Sequence, residues 1–171
     1  MAYSIIGAGG PKDKNSIPLA TKRGNHIPNE QRVEWSPGRL KSTVDFLSTS
    51  FPDIKLRSVT VTYNCLGMVF AARRTCVDAE YLDMILREDG YQKLSDVYAL
   101  KIGDVVVYKK NGSTTHVAVV TNISCLLQQV STEVEVVSKW GAHPEYVHAM
   151  ERVSPLLGEP AEFWTERKNY G

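Results

Sequence analysis

No apolar run in the 171 residues approaches the roughly 18 needed to cross a bilayer as a helix. No basic segment followed by an apolar core opens the chain, because Ile5 and Ile6 stand in a short run cut by Gly7, Gly9 and Gly10. Neither sign of charge dominates: 20 Lys and Arg face 19 Asp and Glu, for a net charge of +1. This gives no support to a general binder of nucleic acid or of anionic membranes, which would concentrate basic side chains. Cysteine is scarce. Cys65, Cys76 and Cys125 are odd in number and show no C-x-x-C spacing, so neither a disulfide framework nor a zinc site is expected. No metal or cofactor is expected. Repeats and low-complexity tracts are also missing. The cluster from Gly7 to Gly10 lacks a strand before it and a helix after it, which excludes a phosphate loop. These absences point to a reducing cytoplasm, and they are compatible with export by a route that needs no cleaved signal.

What is present is an ordinary globular composition, 43% hydrophobic and 23% charged, at the length of one domain. Residues 1–36 are rich in turn formers (Pro11, Pro18, Gly24, Pro28) and read as an extended arm, suited to contact a protein partner. Residues 37–171 read as the folded domain. Ser36-Pro37 marks a helix start, Leu40, Val44 and Leu47 keep helical spacing to about Ser50, and Pro52 ends it. Residues 54–62 read as a strand. A helix of about ten residues follows from Asn64, with Leu66, Val69, Phe70 and Arg73 recurring at three to four. Another runs from Asp78, its expected cap, to about Glu88, and Gly90 closes it. The second half turns to strands: Asp104–Lys109, a hairpin at Asn111-Gly112, then His116–Thr121 and Glu133–Ser138. The tail beyond reads as loop-rich. Helices first and an antiparallel meander second make an α+β pattern.

Cys65 sits where an extended segment gives way to a helix. There the free N–H groups and the helix dipole favour thiolate over thiol, and the cysteine's own N–H suits a developing oxyanion. Cys76, between helices, and Cys125, in an apolar stretch, read as buried or incidental. A nucleophilic cysteine needs a base within hydrogen-bond reach. His116 opens a strand after the hairpin, whereas His26 lies in the arm and His143 and His148 in the tail. The plain alternative for Cys65 is a small buried residue, for His116 a structural strand histidine, and for Trp140 a core aromatic. Lys139 and the pairs Lys22-Arg23 and Arg73-Arg74 read as solvated surface.

Cysteine at a helix start, histidine opening a strand after a turn, and a following strand ending Ser138-Lys139-Trp140-Gly141 resemble papain-like cysteine peptidases, whose last motif is Asn-Ser-Trp-Gly. The compact bacterial NlpC-type and CHAP amidases are similar in more respects. They share a tyrosine or asparagine beside the cysteine, here Tyr63-Asn64-Cys65, and a Gly-Asp-Val-Val strand before the histidine, here Gly103–Val107. The resemblance spans roughly residues 60–141 and implies an α+β papain-like fold, with helices packed on a small antiparallel sheet. It also implies a cysteine hydrolase acting on a peptide or amide through a thioester. Cys65 would attack, His116 would serve as base and acid, and Ser138 or His148 would orient the imidazole. Tyr63, Asn64 and Trp140 would line the oxyanion and substrate site. Serine replaces the expected asparagine at 138, and no glutamine precedes Cys65 to complete an oxyanion hole. Those departures support a competing expectation, a catalytically inactive papain-like binding or immunity-type module. A deamidase or acyltransferase acting as a toxin or effector uses the same machinery.

Overall fold

Ser36 accepts a hydrogen bond from the Arg39 N–H at 3.4 Å, and Pro37 takes the first helical position, where a missing N–H costs nothing. The first helix, α1, spans Pro37–Ser50 and stops before Pro52 as its spacing predicts. The computed structural model describes residues 15–126 and 131–168, so the glycine cluster at 7–10 and the side chain of Cys125 lie outside the description. Residues 15–36 pack on the rest: β1 (Asn29–Glu30) pairs with β3 (Cys76–Val77), and Ile27 joins the same core cluster as Cys65.

After β2 (Lys55–Ser58), α2 (Cys65–Phe70) is shorter than the expected ten residues. Ala72 and Arg73 take left-handed backbone angles, φ 49° and 64°, and reverse the chain. Next come a short 3-10 turn (Ala79–Tyr81) and α3 (Leu82–Glu88), and the Asp78 side chain makes no capping bond. The chain continues through β4 (Gln92–Lys93), β5 (Val105–Lys110) and β6 (Ser113–Leu126). Asn111 and Gly112 both have positive φ, 52° and 80°, as a two-residue hairpin turn between right-twisting strands requires. The last strands are β7 (Ser131–Lys139), β8 (Glu145–Ala149) and β9 (Glu159–Thr165).

One antiparallel sheet takes seven of these strands in the order β2-β8-β7-β6-β5-β9-β4. With helices on it, the domain is α+β. The tail is therefore not loop-rich, since β8 and β9 lie in it. Neither segment is a β-branched run, and each is held as a strand by its neighbours. Pro160 enters β9 where its pairing with β5 shifts register, so the missing N–H interrupts no regular ladder. Among the described residues no helix is long and apolar enough to cross a membrane.

Side-chain alternation divides the core. Val105, Val107 and Val117 pack with Cys65 and Leu66 of α2 and with Leu82, Ile85 and Leu86 of α3. Val106, Tyr108, Ala118, Val120 and Val136 point the other way, packing with Leu100 and Met150. Leu47, near the end of α1, joins Trp140, Tyr146 and Leu157.

Candidate active site

Asn64 caps α2. Its Oδ1 accepts from the N–H of Gly67 at 2.9 Å and of Val77 at 3.1 Å, and its Nδ2 donates to Val77 O at 2.7 Å. All three bonds are internal, so Asn64 is engaged in building the helix start rather than facing a substrate. Gly67 follows from the same packing. A Cβ there would meet Thr75 O at 1.7 Å, so only glycine lets β3 approach α2 this closely.

Cys65 therefore stands at a helix start, as its sequence context predicts, but it is only 1% exposed. Burial pushes its thiol pKa up to about 11, outweighing the backbone groups of Val117, Leu66 and Cys65 itself that hydrogen-bond toward the sulfur and pull it down.

His116 lies on β6 directly opposite Tyr108 of β5, and the two rings stand 5.2 Å apart between centroids. Tyr108 belongs to the cluster facing away from α2. The next residue, Val117, packs with Cys65. Adjacent residues of a regular strand point to opposite faces, so the His116 imidazole and the Cys65 thiol lie on opposite sides of the sheet. The expected dyad is not formed. His116 is fully buried, neither ring nitrogen has a hydrogen-bond partner, and burial followed by repulsion from His148 pushes its pKa down to about 3.

The structure brings together the other expected members, on the His116 side. His148 Nδ1 lies 2.8 Å from Ala149 O, which can only accept, so Nδ1 carries the proton and Nε2 accepts. Ser138 Oγ donates to that Nε2 at 2.7 Å, and Trp140 Nε1 donates to Ser138 Oγ at 3.1 Å. The three residues satisfy one another, and neither Ser138 nor His148 orients His116. Trp140 is a core aromatic, edge-on to Phe51 at 4.9 Å.

Tyr63 and Lys139 belong to a third locus. Tyr63 donates its hydroxyl to Glu145 Oε2 at 2.8 Å. Arg73 grips both oxygens of Glu145 at 3.0 Å, and Arg57 adds a contact at 2.8 Å. Arg73 is thus not a free surface charge, because its left-handed turn delivers it to this carboxylate. Lys139 is fully buried rather than solvent-facing. Its Nζ donates to Thr60 O at 2.6 Å and His143 O at 2.7 Å and sits 4.5 Å above the Tyr63 ring. Burial pulls its pKa down to about 7 against the pull of Glu145. The signal for Lys139 was its register: it shares a strand face with Val137, which packs under α2 against Met68.

Among the described residues no three His, Cys, Asp or Glu side chains group as metal ligands. No family model, curated protein or solved structure matches the chain.

Proposed function

We propose that this domain is a non-catalytic binding module that keeps the element order of papain-like cysteine hydrolases without a working cysteine–histidine pair. One observation carries the reading: the Cys65 thiol and the His116 imidazole occupy opposite faces of the sheet. Energetics point the same way. Burial raises the Cys65 thiol pKa to about 11 and lowers that of the His116 imidazole to about 3, so both shifts disfavour a thiolate–imidazolium pair.

A second reading, the hydrolase acting on a peptide or amide, has one observation in its favour. The backbone groups of Val117, Leu66 and Cys65 that bond toward the sulfur are the kind of donors that hold a thiolate or an oxyanion. That reading needs β6 to slip by one residue. The slip would place His116 on the α2 face and turn Val117 and Val119 out of their apolar clusters.

Labelling with iodoacetamide at neutral pH, with the modified residue located by mass spectrometry, separates the two readings. Cys65 in the native chain is expected to stay unlabelled and to react only after unfolding. Rapid native labelling of Cys65, together with a peptidase or amidase activity that Cys65→Ala abolishes, would reverse the assignment.

A further inference from the structure

Arg32 is 6% exposed, and its Nε and Nη1 are buried without a hydrogen-bond partner. Two guanidinium nitrogens buried without acceptors are costly, which makes this group an indicator of a missing counter-ion. Its place is fixed by the backbone: the Arg32 N–H donates to Thr62 O at 3.3 Å, beside the segment that also offers Thr60 O to Lys139. Burial pushes the Lys139 ammonium toward its neutral form against the pull of Glu145, Cys76 and Glu34, and the nearby Arg32 charge adds a smaller push in the same direction as burial.

Two carboxylates that act on Lys139, Glu34 and Glu145, already have hydrogen-bond partners of their own. Glu34 Oε1 accepts from the N–H of Trp35 at 3.1 Å and of Val61 at 3.0 Å, and its Oε2 accepts from Thr60 Oγ1 at 2.5 Å. Glu145 is held by Arg57, Arg73 and Tyr63. Arg39 lies over the Trp35 ring at 3.6 Å, and burial first, then Lys139 and Arg39, push the half-buried His143 toward its neutral form.

We propose that Arg32, beside Lys139, is the core of a binding site for a phosphate-type oxyanion. Guanidinium donors match carboxylate and phosphate alike, and a doubly charged ligand at Arg32 would also draw the nearby Lys139 back to its charged form, which favours phosphate. Val33 and Glu34 next to Arg32 are exposed, so the site lies just beneath the surface. The site contains neither Cys65 nor His116, so its failure and the failure of the non-catalytic reading are separate results.

The test is thermal unfolding of the full chain in Tris chloride, with inorganic phosphate added at constant ionic strength and acetate as the singly charged control. Wild type is expected to gain about 5–10 °C at a hundredfold excess over the dissociation constant. Arg32→Met is expected to melt no lower than wild type without phosphate and to gain nothing from it. Equal phosphate shifts in both proteins, no shift in wild type, or an acetate shift matching that of phosphate overturns the site. Isothermal titration of the wild type needs no variant. One phosphate per chain supports the proposal, and no saturable binding refutes it. Phosphoserine binding more tightly than phosphate would support the site and mark the ligand as a monoester.

Discussion

The two faces of the sheet treat their buried polar groups in opposite ways. On the α2 face Asn64 spends its side chain on three internal hydrogen bonds, and backbone groups bond toward the Cys65 sulfur. On the other face Ser138, Trp140 and His148 form a closed chain, while His116 and the Tyr146 hydroxyl have no hydrogen-bond partner. Around Asn64 and Cys65 the first face is a backbone device that fixes where a helix begins, with the side-chain cluster of Tyr63, Glu145 and Arg73 beside it. The second is a side-chain cluster with bonds left unmade. Residues that look like one catalytic set along the chain are thus divided between two environments by the parity of a single strand.

The largest way to break this comparison is on the α2 face. Gly67→Ala forces a Cβ onto Thr75 O, a backbone atom that cannot swing aside. A loss of more than about 4 kcal/mol is expected in urea unfolding, with α2 and β3 driven apart.

The second effect is on the other face and depends on pH. His116 has its folded pKa pushed below its ordinary value of 6.5 to about 3, so the unfolded chain binds the proton first as pH falls. Stability is therefore complete above about pH 6.5 and declines toward pH 3, by up to about 1.4 kcal/mol per pH unit. His116→Phe keeps a ring against Tyr108, leaves no buried nitrogen unpaired, and is expected to change stability at pH 7 by less than about 1 kcal/mol. Its unfolding midpoint should vary less between pH 6.5 and 4 than that of wild type. Some acid sensitivity should persist, because burial pushes His148 and His143 the same way. An unchanged acid profile would show that His116 is solvated.

The smallest effect sharpens the contrast. Ser138→Ala removes the hydroxyl that bonds both His148 and Trp140 and is expected to cost about 1–2 kcal/mol by chemical denaturation. A loss as large as that of Gly67→Ala would mean that the side-chain cluster is as structurally decisive as the helix start.

Much of the architecture is legible where local chemistry decides it. Ser36-Pro37 opens α1 and Asn111-Gly112 makes the hairpin because each feature needs only its own residues. The α+β order is legible for the same reason. β8 and β9 were not, because pairing partners far along the chain make them strands. The ends of α2 and the fate of Arg73 depend on two left-handed residues, Ala72 and Arg73, that carry no glycine signal. In the candidate site, the helix-start position of Cys65 could be read from its neighbours. The facing of His116 could not, because it depends on the register of β6 against β5 and on which face α2 covers. Lys139 was misjudged for a related reason: β7 runs from beyond the cover of α2 to beneath it, and the same parity carries Glu133 outside and Lys139 inside.

The Lys139 ammonium joins the carbonyl of Thr60, 79 positions earlier in the chain, to that of His143, four positions later. The loop leading into α2 and the loop between β7 and β8 therefore share one fastening and cannot loosen independently. Amide hydrogen exchange would register them as a single opening event with a common free energy, although one belongs to the helical half of the chain and the other to the strands.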